Sequence, residues 1–319
     1  GIRALGLLGG AKVVNFFRSR LIPLAFPVLL IMALFLVSAC SKSPAPQGSG
    51  SVETPQVGQT NPGEQPPALK DPALNPLTGL QVEKANLNRM PLAIMVENSP
   101  AARPQSGLQQ ADLIYEVVAE GGITRFLAIF YGGDAAQVGP VRSARPYFLE
   151  RSMEYKALYV HAGGSPEALE MLKKLKAYDL NQFANNFPFW RSRDRKAPHN
   201  LYGDTLKMRQ VANKKWPAYQ PEVTGFDFVA PGESLAGGSG INTLTIHFGA
   251  KASEVTWKYD ESTHKYLRFY GNTPHKDKVT GKQYTCENIL IQKVSSKVID
   301  GEGLGTKYYQ TNNNGINST

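Results

Sequence analysis

Leu113-Ile114-Tyr115-Glu116-Val117-Val118-Ala119-Glu120-Gly121-Gly122-Ile123-Thr124-Arg125-Phe126-Leu127-Ala128-Ile129-Phe130 is a pair of apolar, β-branched runs that meet at two glycines. Gly-Gly between such runs predicts a tight antiparallel hairpin, because glycine alone takes the left-handed conformations a two-residue turn needs. That turn would set Leu113 opposite Phe130, Tyr115 opposite Ala128, Val117 opposite Phe126 and Val118 opposite Arg125. One face of the pair is then wholly apolar. On the other, Glu116 and Glu120 lie diagonal to Arg125, about 7–8 Å away and within reach of long side chains. Such a cluster is either an ion group that fixes strand register or a ligand site built on Arg125 with one carboxylate. Glu116 and Glu120 make a poor glycosidase pair. Four residues along one strand span roughly 13 Å, beyond the ~5–9.5 Å that such mechanisms use.

Outward from this hairpin the chain alternates elements. Leu92–Glu97 reads as a buried strand and Ala157–His161 as another. Helices are predicted over Pro146–Tyr155, over Pro166–Tyr178 behind the N-cap Ser165, and over Thr205–Trp216 behind Asp204. Pro231–Gly240, Gly-rich and polar, marks a boundary. Beyond it only strands are indicated, by alternation at Leu244, Ile246 and Phe248, at Val255, Trp257 and Tyr259, and at Leu267 and Phe269. A last strand pair is placed at Ile289–Lys293 and Lys307–Gln310. The fold class is therefore α+β: mixed or antiparallel sheets with helices packed on them over 75–230, then a β-rich domain over 241–310 and a polar tail over 311–319.

Further charge lies outside the hairpin. Arg142 and Arg145 flank the start of the helix that Pro146 opens, where the helix dipole favours negative charge. They are stabilised there either by an external phosphate or carboxylate or by Glu116 or Glu120. His161 ends a strand before Gly163-Gly164 and the helix at Ser165, a geometry tolerant of anions. His199 follows Arg191, Arg193, Arg195 and Lys196, with Phe187, Phe189 and Trp190 just before them. That mixture suits a sugar or a charged polymer, and equally a solvated loop. No Walker loop, Gly-x-Ser-x-Gly elbow, His-Glu-x-x-His or Cys-x-x-Cys is present. Neither a metal site nor a cofactor is expected.

The N-terminal segment gives an address. Arg18-Ser19-Arg20 precedes an apolar run from Leu21 to Val37, which closes on Val37-Ser38-Ala39-Cys40. Basic, apolar and small-residue regions in that order form a secretory signal, here 1–39, with Cys40 placed to take lipid. The chain opens on Gly1 rather than Met, and the expectation is either a start near Val13 or Val14 or a sequence that is a piece of a longer one. From 40 to 74, Pro, Gly, Ser and Gln dominate, a composition unable to bury enough surface to order itself; it reads as a tether. The four basic residues before Cys40 leave 31 Lys and Arg against 26 Asp and Glu, a net +5. This favours anionic partners without pointing to nucleic acid. With Cys40 lipidated, Cys286 has no disulfide partner.

Several long stretches resemble one family. They are Asn75–Leu80, Arg103–Leu108, Tyr115–Phe126, Gly139–Arg145, His161–Pro166 and Gly271–Asp277, and together they are similar to the YerB-like lipoproteins. The resemblance implies a two-part α+β fold in a bacterial envelope. It implies no activity, since the family's function is unknown. It also leads us to expect closing strands where 311–319 is polar, hence an incomplete second domain with an open sheet edge.

The expectation is a lipoprotein on the extracytoplasmic face of the cell membrane, binding an anionic envelope polymer such as peptidoglycan through Arg125, Arg142 and Arg145. The alternatives are a hydrolase or transferase using Glu116 or Glu120 with His161 or His199, and a scaffold for another envelope or membrane protein. Cys40→Ser should leave the precursor unprocessed and unlabelled by a fatty-acid probe. Labelling of that variant would refute the lipid anchor.

Overall fold

The computed structural model of the chain describes residues 68–229, 240–292, 294–298 and 307–310. The signal segment, Cys40, the boundary residues 231–239 and the tail 311–319 lie outside these. None of the described helices is long and apolar enough to cross a membrane.

At the centre of the body is a five-stranded mixed sheet. Its strands are β1 (Leu92–Glu97), β2 (Leu113–Val118), β3 (Thr124–Phe130), β4 (Leu158–His161) and β5 (Asp179–Asn181), in the spatial order β2-β3-β1-β4-β5. β3 runs antiparallel to both β2 and β1, whereas β1, β4 and β5 are parallel to one another. Strands β1 and β3 are buried along their whole length. This is why they read as continuous apolar runs rather than alternating ones.

Helices cover both faces. α1 (Pro146–Glu154) and α2 (Pro166–Lys174) pack Tyr147, Phe148, Ala168 and Leu172 onto Met95, Leu127 and Tyr159. On the other side, α3 (Thr205–Lys215) sets Met208 and Ala212 against Ile94, Phe126 and Val160. The helix starts follow their sequence signals. Ser165 accepts from the Ala168 N–H, and Asp204 accepts from Leu206 and Lys207. α2 stops at Lys174, four residues short of the expected end, and Lys176 turns left-handed just after it (φ 50°).

The hairpin register differs from expectation by one residue. Val118 pairs with Thr124, Val117 with Arg125 and Glu116 with Phe126. The turn has three residues instead of two: the Ala119 N–H donates to Ile123 O at 2.7 Å, and Glu120, Gly121 and Gly122 form the loop. Both glycines take positive φ (61° and 73°), so they serve the turn as anticipated, but Glu120 is drawn into it. A one-residue shift moves every side chain to the other face. Glu116 and Arg125 therefore lie on opposite sides of the sheet and do not meet.

Two further boundaries move. Pro72–Leu74, expected in the tether, pairs with Gln81–Glu83 around the turn at Asn75–Gly79. The last strand pair joins Lys307–Gln310 to Ser295–Val298 rather than to the 289–293 segment.

Beyond the boundary, β6 (Thr243–Ile246), β7 (Val255–Asp260), β8 (Lys265–Tyr270), β9 (Thr273–Pro274) and β10 (Thr285–Cys286) form a second antiparallel sheet. Its order is β6-β7-β8-β9, with β10 also on β8. It docks on the first sheet through a buried polar network. Arg268 is 4% exposed and meets Glu116 Oε2 at 2.9 Å. Glu116 Oε1 also accepts from Asn98 and Thr124. Arg268 Nε donates to His275 Nδ1 at 2.9 Å, which leaves the His275 Nε2 hydrogen to reach Gln105 Oε1 at 2.7 Å. That fixes a neutral imidazole, and its burial, aided by Arg268 and Arg103, pushes the His275 pKa far down. Asp277 accepts from the Gly107 N–H at 2.7 Å. Two of the stretches that carry the family resemblance, Arg103–Leu108 and Gly271–Asp277, thus face each other across this junction.

Removing one partner of a buried ion pair strands the other. Glu116→Ala should cost about 3–5 kcal/mol, read as a drop in the urea midpoint, with Glu116→Gln less damaging because it keeps an acceptor for Asn98 and Thr124.

Candidate functional site

The segment Gly139–Arg145 runs along the carboxyl ends of β1 and β4. Glu97 N–H donates to Pro140 O (2.9 Å), Arg142 N–H to Met95 O (2.9 Å) and Ala144 N–H to Gly163 O (2.9 Å). Ala162 N–H returns a bond to Arg142 O at 3.0 Å. The segment is therefore wedged between two parallel strands just where they end. In open α/β sheets this is where ligand crevices form.

A cleft of about 450 Å³ opens there, within the ~300–1,000 Å³ usual for ligand pockets. Its wall includes Arg142, Ser143, Gly163, Gly164, Asn181, Phe183 and Arg191. The lining carries two guanidiniums and, among the described residues, no carboxylate. Arg191 is exposed and donates to Asn200 Oδ1 at 2.9 Å. Asn181, at the end of β5, accepts from both the Gly163 and Phe183 N–H groups (3.1 and 3.2 Å) and so ties two walls of the cleft together.

The three arginines singled out from the sequence have different fates. Arg125 and Arg145 are 8% and 7% exposed and share one carboxylate, Glu120. Arg125 meets Glu120 Oε2 at 2.6 Å and donates to Ser143 O at 3.0 Å, while Arg145 Nε pairs with Glu120 Oε1. Burial, reinforced by the neighbouring Arg145, lowers the Arg125 pKa to about 10. Arg142 faces the cleft. Its carboxylate neighbour is Glu97, at a loose 3.8 Å.

Glu97 was not among the candidates. It closes the apolar strand β1, is 4% exposed, and its Oε1 takes His199 Nδ1 at 2.9 Å and the Ser99 hydroxyl at 2.8 Å. Its Oε2 has no hydrogen-bond partner among the described residues. A lone acidic residue ending a fully apolar run was the available signal. His161 plays a different part. It is fully buried, with Nδ1–H donating to Gly163 O and Nε2 meeting Asp179 Oδ1, both at 2.7 Å. Both ring nitrogens are taken, so His161 holds the glycine wall and has no nitrogen left for catalysis. Glu116 is in the domain junction, on the opposite sheet face from Arg125. Of the residues singled out from the sequence, Arg142 and His199 are brought together through Glu97, whereas Glu116 pairs with Arg268. Burial pushes the Cys286 thiol up to about 12, which disfavours the thiolate.

The fold and cleft define a two-domain α+β protein with an arginine-lined crevice at the strand ends. The chain belongs to the family described as "Protein of unknown function (DUF3048)": the N-terminal domain model matches residues 77–220 and the C-terminal one residues 244–317. It is 37% identical over 232 residues to "Putative lipoprotein YerB" of Bacillus subtilis (strain 168), covering 72% of this chain and 69% of that protein. The crystal structure of YerB from Bacillus subtilis superposes with a TM-score of 0.66 at 34% identity, covering 74% of this chain and 79% of that one.

Burial pushes the Glu120 carboxyl up, but Arg125 and Arg145 together outweigh it and hold the carboxyl below its ordinary 4.5. A depressed acid contributes stability that is complete above its ordinary pKa and lost as pH falls through the folded value. Glu120→Gln should cost about 3–5 kcal/mol at pH 7 by leaving two buried arginines without their counter-charge. Its urea midpoint should also fall less than that of the native protein between pH 7 and pH 3. Parallel pH profiles for the two proteins would exclude this role.

Proposed function

We propose that this chain is an exported lipoprotein, held to the outer membrane face through Cys40, whose folded body binds an anionic ligand in the cleft at Arg142 and Arg191. The signal-like segment ending at Cys40 and the lipoprotein name of the Bacillus subtilis relative support the anchor. The binding reading rests on one observation: two guanidiniums line the cleft and, among the described residues, no acidic side chain lines it with them, Glu97 approaching Arg142 only to 3.8 Å from outside that lining. Glu120 absorbs Arg125 and Arg145, so those two act as structural cations beneath the site. The fork of guanidinium donors suits a carboxylate or a phosphate equally.

An acid–base enzyme on the same ligands is the second reading. It draws on the Glu97–His199 pair, 2.9 Å apart and next to Arg142, in place of Glu116, Glu120 and His161.

Calorimetric titration with inorganic phosphate tests the binding reading. Arg142→Gln should weaken phosphate by roughly 10-fold or more, the equivalent of losing one charged hydrogen bond of about 1.5–3 kcal/mol. Its melting temperature should stay near the native one, because His199 and Ser99 still hold Glu97. Equal phosphate affinity in both proteins would remove the cleft from consideration.

A further inference from the structure

Phe183 lines the cleft, yet 71% of it is exposed. A phenyl ring left open to water at the mouth of a charged crevice has a cost of its own, since apolar surface is better covered. The ring is also held in place. A Cβ on Gly163 would come within 2.9 Å of Phe183 Cε2, so the ring lies against the bare backbone of that glycine. Gly163 has a positive φ of 64°, which a side chain would strain. Asn181 Oδ1 accepts from both Gly163 and Phe183 N–H, and Asn185 Nδ2 donates back to Asn181 O at 3.0 Å. The exposed ring and the wall beside Arg142 therefore share one anchor.

Two chemistries line one cleft: two guanidiniums and an uncovered aromatic face, with Gly163 and Gly164 also in its wall. A simple anion uses the first and leaves the second in water. A neutral sugar uses the second and leaves Arg191 without a counter-charge in the cleft and Arg142 with Glu97 alone at 3.8 Å. Only a ring that carries an anionic substituent satisfies both.

We propose that the cleft takes an acidic pyranose. The C–H face of the sugar lies on Phe183, and its carboxylate or phosphate meets Arg142 and Arg191. This rests on the anion-binding reading and adds the class of molecule that bears the anion. The recognised unit is a sugar residue of a glycan, and the carboxylate and phosphate forms share the same recognition.

The test uses the folded protein with five probes: N-acetylmuramic acid and glucose 6-phosphate as acidic pyranoses, N-acetylglucosamine as the neutral ring, and inorganic phosphate and glycerol 3-phosphate as anions without a ring. At least one acidic pyranose should bind roughly 10-fold tighter than inorganic phosphate, glycerol 3-phosphate and N-acetylglucosamine, as covering one ring face of apolar surface provides. Phe183→Ala should bring that sugar to the affinity of the bare anion and leave phosphate unchanged. Because Phe183 is exposed, the variant should melt like the native protein, and Phe183→Trp should keep or raise the preference. If glycerol 3-phosphate binds as well as the sugars, or Phe183→Ala changes nothing, the pyranose proposal is overturned while the anion reading stands. If no probe binds, both fall.

Discussion

Glu120 is a single carboxylate shared by two nearly buried arginines, and the layout of the site depends on it. Arg125 stands near the start of the interior strand β3 and Arg145 caps the start of α1. Neither could remain charged at 8% and 7% exposure without a counter-ion. Glu120 serves both because it sits in the turn, off the ladder, where one oxygen reaches each guanidinium. A two-residue turn would have kept Glu120 in a strand. The extra residue in the loop thus fixes the register of β2 on β3, and that register sends Glu116 to the other face, where the second domain needs it.

The division of charge that follows is economical in residues. Glu120 neutralises two cations on the helix-covered face with α1 and α2. Glu116 neutralises Arg268 on the opposite face and joins the two sheets. Glu97, at the end of the central strand, is left with His199 and only a distant guanidinium. Arg142, with Glu97 at 3.8 Å, and Arg191, which bonds the neutral Asn200, are therefore less closely neutralised from within than Arg125 and Arg145. The place of Arg142 is fixed by its backbone, which is bonded to Met95 on one side and Ala162 on the other.

Much of the fold could be read from the sequence, and the misses have a common cause. Buried strands such as Leu92–Glu97 and capped helices such as the one behind Asp204 are declared by local chemistry: unbroken apolar runs and a side-chain acceptor before the first turn. Gly121-Gly122 marked a turn correctly, but the number of loop residues depends on where Glu120 finds its partners. Those partners are Arg125, five residues on, and Arg145, 25 residues on. Tertiary ion pairing of that kind overrides a turn rule, and one residue of error reassigned every charge on the hairpin. Arg142 and His199 were visible as charged residues in loops. Glu97 was marked only by its place as the one acid ending an apolar run, and Phe183 was not marked at all, because an aromatic in a polar loop acquires meaning only when the strand ends are brought together.

The second domain bears on the cleft through a continuous line of contacts. His275 Nε2 reaches Gln105 Oε1, and Gln105 Nε2 donates to Glu97 O at 2.9 Å and to Asn98 Oδ1 at 2.8 Å. Glu97 in turn holds His199 and stands beside Arg142. Every member of the junction is satisfied: Arg268 by Glu116, Tyr270 and His275, and His275 by Arg268 and Gln105. Fully satisfied buried networks have few alternative arrangements, because each displaced group loses a partner in a low-dielectric setting. The junction therefore pins the end of the central strand, the place from which Glu97 and its neighbours are presented. A cleft whose arginine is set by backbone bonds and whose acidic neighbour is set by a second domain would have less to reorganise in taking the anion proposed for it. Preorganisation of that kind raises affinity by lowering the ordering cost of binding, without any added contact.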